Sequence, residues 1–159
     1  MKGEIELLLA FIDDAYSGKS WQGSNLKGSI RGLSPDEAAW RPEPNRHNIW
    51  ELILHAAYWK YTVKRKLLEE KRGSFPLKGS NWFQRPQART HAAWKEDQRL
   101  LEEMHQSLRR TIASIDARIL NEPAGHSKYP YLKIIYGVAA HDIYHTGQIT
   151  LIKRLMGSR

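Results

Sequence analysis

Hydrophobic side chains recur every three or four positions in several long segments of this chain, which is the spacing of one face of an α-helix. In residues 4–16 the apolar positions fall on one stripe, formed by Ile5, Leu8, Leu9, Ile12 and Tyr16. The pattern then breaks near Gly18 and partly resumes as far as about Arg31. It predicts a first long helix over residues 4–16 and a weaker helical stretch after it.

Two capping boxes mark the starts of further helices. Ser34 is followed three positions later by Glu37, and Asn48 by Glu51, so each pair can exchange hydrogen bonds between side chains and backbone amides. The helix after Ser34 must be short, because two prolines follow it closely. The box at Asn48 opens a second long helix, which is predicted to run to about Arg72.

Two more long helices are predicted in the second half of the chain, from Thr90 to about Ile115 and from about Pro130 to about Leu155. The irregular segment 73–89 lies between the second and third long helices. It holds three aromatic residues, Phe75, Trp82 and Phe83. A segment of this length and composition is either a lid over a cleft or a loop anchored to the core.

The chain has 159 residues, a length that favours one domain, and it shows no β-alternation of useful length. Four long amphipathic helices predict an all-α fold, an up-and-down four-helix bundle in a single domain over residues 1–159. No apolar stretch has the length of a transmembrane helix, and the first residues do not follow the pattern of a signal peptide. We therefore expect a cytoplasmic protein without a membrane partner.

The net charge of +8, from 25 basic and 17 acidic residues, leaves two interpretations open. It could attract nucleic acid or anionic metabolites, or it could simply provide a soluble basic surface. Basic and acidic residues are interspersed and no separate basic arm exists, which argues against a nucleic-acid partner. The chain has no cysteine, which excludes a disulfide framework, thiolate metal ligands and a cysteine nucleophile.

Three histidines lie on the apolar stripes of two predicted long helices. His141 and His145 are one turn apart on the fourth helix, a spacing that presents two imidazoles to one metal ion, and His55 lies on the second. Burying three neutral polar rings is costly without partners, and a bound metal would satisfy them. We predict a divalent metal site between the second and fourth long helices, with these three ligands and one open coordination position.

Several polar residues near these histidines are candidates for supporting the ligands. Gln148 continues the stripe of the fourth helix and could hydrogen-bond to the site. Asp142 and Glu51 lie off the line of the ligands, where outer-shell, surface and capping roles are all open. Tyr58 and Tyr144 could orient the ligands or line the pocket, although core packing is the default for both. No side chain is assigned as catalytic, since a metal-bound water or thiol would perform the reaction.

The other four histidines are predicted to lie at the surface, because they occupy helix starts, helix flanks or loops: His47, His91, His105 and His126. Glu102 and His105 also form a Glu-x-x-His pair, of the kind that carboxylate-bridged di-metal bundles use. A site of that kind needs further inward carboxylates, which the predicted core stripes do not clearly offer. The three-histidine site is therefore preferred.

Three stretches of the chain resemble the DinB/YfiT-like superfamily of metalloenzymes and occur in the order expected for it. They are Gly-Leu-Ser through Trp-Arg-Pro in residues 32–42, Asn-Ile-Trp-Glu-Leu-Ile-Leu-His in residues 48–55, and His-Asp-Ile-Tyr-His-Thr-Gly-Gln-Ile in residues 141–149. The last stretch is fairly specific, whereas the first two are weak alone. The resemblance spans nearly the whole chain.

The resemblance implies an up-and-down four-helix bundle that holds a divalent metal, often nickel or zinc, through His55, His141 and His145. It also implies a homodimer. Relatives in the superfamily include bacillithiol S-transferases and mycothiol-dependent maleylpyruvate isomerases, in which the metal binds and activates the thiol of a low-molecular-weight cofactor. A chain without cysteine is compatible with a thiol supplied from outside.

Three functions follow as hypotheses. The first is a metal-dependent enzyme that acts on a small-molecule substrate, a low-molecular-weight-thiol S-transferase for small electrophiles. The second is a metal-dependent hydrolase with bound water as its nucleophile. The third is a non-enzymatic module, such as a stress-response protein or a nucleic-acid binder that uses the net positive charge.

Overall fold

The computed structural model describes residues 3–157, so the ends of the predicted domain at residues 1–2 and 158–159 lie outside the described residues. The described part is all-α, as predicted, and no β-strand occurs in it. Its helices are α1 (Glu4–Tyr16), α2 (Leu26–Ser29), α3 (Pro35–Ala39), α4 (Ile49–Leu67), α5 (His91–Ala113) and α6 (Tyr131–Gly157). A short 3₁₀ helix, Ala117–Ile119, lies between α5 and α6.

Side-chain caps fix the starts of α3, α4 and α5. Both predicted capping boxes form: the side chains of Ser34 and Asn48 accept bonds from the amides of Glu37 and Glu51, and each glutamate carboxylate accepts a bond from the amide of its cap residue. Thr90 caps α5 through its hydroxyl oxygen. These caps satisfy backbone amides that the first helical turn leaves without partners.

The helix α4 ends at Leu67, earlier than the prediction of about Arg72. Glu69 adopts the left-handed conformation, with a φ of 54°. The amides of Glu69 and Glu70 bond back to carbonyls of the last helical turn, at 3.2 and 3.0 Å. This double closure is the Schellman arrangement, which ends the helix without the glycine that the sequence pattern relied on.

The long helices pack in neighbouring pairs, with α4 against both α5 and α6, and α1 against the same two helices. Buried apolar side chains form two clusters along these contacts, one that includes Trp50 and Trp94 and one that includes Leu108 and Ile112. The contact between α4 and α6 brings their polar stripe residues together. Between residues 3 and 157, no helix is long and apolar enough to cross a membrane.

The irregular segment 73–89 is anchored to the core by its aromatic residues. Phe83 is buried, and Phe75, Leu77 and Trp82 pack against the cluster that holds Trp50. The segment therefore runs across the helices as a fixed wall, and it carries Asn81 and Trp82 to the histidines described next.

Candidate metal centre

Three histidine side chains from two helices converge on one point. His55 lies on α4, and His141 and His145 lie one turn apart on α6. The Nε2 atom of His141 is 3.1 Å from Nε2 of His55 and 3.0 Å from Nε2 of His145. The ligand atoms of the three residues all lie within 4.8 Å of one another, so they could hold one metal ion. The structure thus brings together the three residues that the sequence singled out.

The outer nitrogens of two of the rings bond to acceptors, which fixes their tautomers. Nδ1 of His55 lies 2.8 Å from the carbonyl oxygen of Asn81, and Nδ1 of His145 lies 2.6 Å from Oε1 of Gln148. A carbonyl oxygen only accepts hydrogen bonds, so each Nδ1 carries the hydrogen. The Nε2 atoms of both neutral rings therefore present lone pairs to the centre of the cluster.

His141 cannot satisfy both of these lone pairs as a neutral ring. Its Nε2 faces two acceptors, and a neutral imidazole has at most one hydrogen there. Its Nδ1 is buried and has no hydrogen-bond partner among the described residues. At this point the nitrogen lone pairs outnumber the hydrogens, and a bound cation would satisfy them. A set of three nitrogen donors suits a divalent transition metal.

The surroundings keep these three rings in the neutral form that metal binding requires. Burial lowers the pKa of His55 to about 4, and the nearby His145 adds to the effect. Burial lowers the pKa of His141 to about 3, with contributions from both neighbouring histidines. Burial also lowers the pKa of His145, against the opposing bond to Gln148. All three shifts favour the neutral imidazole, the form in which a ring nitrogen can bind a metal.

The cluster lies at one wall of a cavity of about 600 Å³ that opens to solvent. Apolar side chains of α4 and α6 form much of the lining, namely Leu52, Leu151, Ile152 and Leu155. Polar groups gather at the rim, among them Arg46 and His47. A metal held by the three histidines would therefore face a space that accepts a small, partly apolar molecule.

Two residues of the anchored segment complete the site and were not predicted from the sequence. Asn81 adopts a φ of 64°, which orients its carbonyl toward His55, while its side chain accepts a bond from Nε1 of Trp59 at 2.9 Å. Trp82 stacks on the His55 ring, with centroids 3.9 Å apart and planes 9° apart. An asparagine between serine and tryptophan in an irregular segment was the available signal, but it does not identify the partner.

Of the predicted supporting residues, the structure brings Gln148 to a ligand, whereas three others form their bonds or contacts away from the three ligand rings. Asp142 forms a buried ion pair with Lys60. The Glu51 carboxylate bonds to the Arg41 guanidinium, at 2.5 Å for the closest pair of atoms. Tyr58 packs in an aromatic cluster with Phe75 and Phe83. The fifth, Tyr144, is exposed at the cavity wall, and its hydroxyl accepts a bond from Gln148.

The predicted surface position of His105 is wrong, whereas His47, His91 and His126 are exposed as predicted. His105 is 1 % exposed and stacks on Tyr16, with ring centroids 3.7 Å apart. Its neighbour in the Glu-x-x-His pair, Glu102, bonds instead to Tyr16, Lys27 and Gln106. Within the described part of the chain, the three-histidine cluster is the group positioned for a metal, and the di-metal alternative does not form.

Comparison with protein families gives a match to the DinB superfamily over residues 20–149. The matched range includes α4, the anchored segment and the part of α6 that carries both of its histidines. No curated protein and no solved structure matches the chain.

Proposed function

The chain belongs to the DinB superfamily, and from that premise we propose that it is a metal-dependent low-molecular-weight-thiol S-transferase acting on small electrophiles. The observation that carries the proposal is the convergence of three Nε2 atoms at the wall of an open cavity. A three-histidine site with one open side is the arrangement of catalytic metal centres, whereas structural centres are closed by four protein ligands.

The proposed architecture is an up-and-down four-helix bundle formed by α1, α4, α5 and α6. Each of these helices packs against two others, and the pairs α1–α5, α5–α4, α4–α6 and α6–α1 close a ring. Such a ring supports a four-helix bundle. The metal site would lie between α4 and α6, the second and fourth of the long helices.

In the proposed enzyme His55, His141 and His145 hold one divalent ion, nickel or zinc. When bound, the cation would lower the pKa of a thiol or water that coordinates to it. Gln148 and the Asn81 carbonyl hold two of the three rings by their Nδ1 atoms, which orients the lone pairs before a metal binds. This preorganisation supports a functional site, because buried unpaired nitrogens would otherwise destabilise the fold.

The proposed nucleophile is a thiol from outside, because the chain contains no cysteine. The apolar wall formed by Leu52, Ile152 and their neighbours suits a small electrophile. The net charge of +8, with Arg46 at the rim of the cavity, supports binding of a thiol that carries acidic groups. The chain would bind the two reactants side by side and exclude water from part of the cavity.

The test of this proposal is a metal measurement followed by a substrate panel. We expect native protein to contain, or to gain on reconstitution, one nickel or zinc per chain. The panel offers small electrophiles with and without a series of low-molecular-weight thiols, and turnover should require both metal and thiol. Protein that binds no stoichiometric metal would refute the metal site. Turnover without thiol would refute the transferase and establish metal-dependent hydrolysis.

We further propose a homodimer. The support is exposed apolar surface on α1 and α6 away from the cavity, where Leu7 is 61 %, Phe11 is 38 % and Tyr136 is 42 % exposed. Light scattering coupled to size-exclusion chromatography tests this directly, and a monomer at all concentrations would refute it. The cytoplasmic location stays a prediction from the sequence.

A further inference from the structure

The aromatic stack of Trp82 on the proposed metal ligand His55 continues outward to His47. Trp82 lies between the two histidines: its ring is 3.9 Å from that of His55 and 3.6 Å from that of His47. The planes of Trp82 and His47 differ by only 4°. His47 therefore has a defined position at the rim of the cavity, one aromatic ring away from the metal ligand.

A buried carboxylate holds the His47 ring in one tautomer. Nδ1 of His47 lies 3.2 Å from Oε2 of Glu51, whose side chain is 5 % exposed. Burial alone would raise the pKa of Glu51, but bonds from Arg41, the Arg85 amide and His47 outweigh it and hold the pKa below its usual value. The carboxylate is therefore ionised and accepts the Nδ1 hydrogen, which leaves Nε2 of a neutral His47 with its lone pair.

That second nitrogen is available to a bound molecule. The His47 side chain is 47 % exposed, and none of residues 3–157 hydrogen-bonds to its Nε2. His47 lines the cavity of the metal centre and also the adjoining polar cavity of about 510 Å³. The charged or titratable groups around it are Glu51, Arg41, Arg85, Glu43, Arg46 and, beyond Trp82, His55 and His145.

We propose that His47 is a proton-transfer residue of this site, with Glu51 as its positioning residue. The assignment rests on the proposed S-transferase function. Nε2 accepts the proton of the thiol, and the sulfur electron pair forms the new C–S bond. The bond from that carbon to the leaving group breaks, with its electron pair on the leaving group. Protonated His47 then gives the proton to the leaving group, which restores the neutral imidazole.

Two variants separate proton transfer from structural support. His47→Phe keeps a ring to stack on Trp82, and His47→Gln keeps a donor for Glu51, but neither can exchange a proton. Both should bind metal like the native protein and lose about 10²–10⁴-fold in kcat, the range for loss of a general acid–base group. His126→Phe, at an exposed histidine far from the site in sequence, is the matched control with native kcat. Native kcat in either His47 variant overturns the proposal.

Chemical rescue and the tautomer provide readouts that a structural role would not change. Added imidazole should restore part of the activity of His47→Ala, and absence of rescue overturns proton transfer. Nitrogen-15 NMR of the native protein, with His47 assigned from its absence in His47→Phe, should show that the neutral His47 ring carries its hydrogen on Nδ1 and not on Nε2. The opposite tautomer overturns the proposal even where no thiol reaction is found. An inactive native protein would instead refute the S-transferase function.

Discussion

The Nε2 atoms of His55 and His141 lie 3.1 Å apart, although 86 positions separate the two residues in the chain. Hydrogen bonds from Nδ1 of His55 and His145 direct lone pairs to the same point. No arrangement of hydrogens on three neutral rings satisfies all of these nitrogens, so the site carries a local cost that a bound cation removes. This relationship identifies the atoms that would hold the proposed metal, so the proposal can be tested one residue at a time.

Removal of any ligand should abolish tight metal binding. For His55→Ala, His141→Ala and His145→Ala we expect nickel and zinc affinity to fall by more than about 100-fold. Loss of a residue that only hydrogen-bonds to a ligand lowers metal affinity by roughly 10–100-fold. Titration calorimetry on metal-free protein measures this. His91→Ala and His126→Ala, both at exposed histidines, serve as controls with native affinity. If one of these three variants bound one equivalent of metal with native affinity, the substituted histidine would not be a ligand.

The backbone at Asn81 should control metal affinity through its carbonyl. With a φ of 64°, the position accepts glycine readily but strains a β-branched residue. Asn81→Gly and Asn81→Val both lose the bond from Trp59, so the loss of that bond cancels when the two variants are compared. We expect Asn81→Val to bind metal about 10–100-fold more weakly than Asn81→Gly, measured by competition with a chelating dye. Equal affinities would show that the carbonyl does not hold His55.

The sequence predicted the parts of this site that helical periodicity determines. The spacing of His141, His145 and Gln148 places them on one side of α6, and His55 follows the buried stripe of α4. Both helices also begin close to their predicted starts, α4 after Asn48 and α6 next to Pro130. Within a helix, the direction in which a side chain points follows from its position in the sequence. The sequence alone could therefore identify these residues.

The parts that the sequence did not predict depend on how distant segments meet. The path of segment 73–89 has no period, so neither the Asn81 carbonyl nor the position of Trp82 could be derived. His105 was assigned to a helix flank, but tight packing of α5 on α1 places Tyr16 over its ring. Lys60 was not singled out, because a buried lysine is recognised only when its partner on α6 is known.

Removal of one partner of the buried Lys60–Asp142 pair should strongly destabilise the fold, whereas replacement of both by apolar residues should not. Both side chains are almost fully buried, at 0 % and 1 % exposure. Lys60→Met would leave an uncompensated carboxylate in the core, and we expect a loss of about 3–5 kcal/mol in the free energy of unfolding. The double variant Lys60→Met with Asp142→Leu should recover most of that loss, because no charge then stays buried.

Urea unfolding of the metal-free variants measures these differences. The exposed pair of Lys27 and Glu102 supplies a contrast, since the Lys27 side chain is 53 % exposed. Lys27→Met should cost less than about 1 kcal/mol, because solvent screens that pair. A double variant at Lys60 and Asp142 as unstable as Lys60→Met alone would show that packing, and not the unpaired charge, determines the loss.

His105 should make stability depend on pH. Burial lowers its pKa from the usual 6.5 to about 3, and the charge of Lys60 acts in the same direction. The other charged groups that act on it are Glu102, Asp13 and Arg109. Stacked on Tyr16 and 1 % exposed, the native ring resists protonation. In the unfolded chain the same ring takes up a proton as pH falls below about 6.5.

The sign of the effect follows from this difference in proton binding. Between about pH 6 and pH 4 the unfolded state binds a proton at His105 that the native state does not, so acidification favours unfolding. His105 alone should then remove about 1.4 kcal/mol of stability for each pH unit lost in that range.

His105→Phe keeps a ring for Tyr16 and cannot titrate, so its stability should rise relative to native protein by that amount per unit of acidification. Urea unfolding with a chelator from pH 7 to pH 4 measures the difference, because the other buried histidines contribute equally to both proteins. His105→Leu repeats the test without an aromatic ring. Parallel stability curves for native protein and both variants would mean that His105 is protonated equally in the folded and unfolded chains.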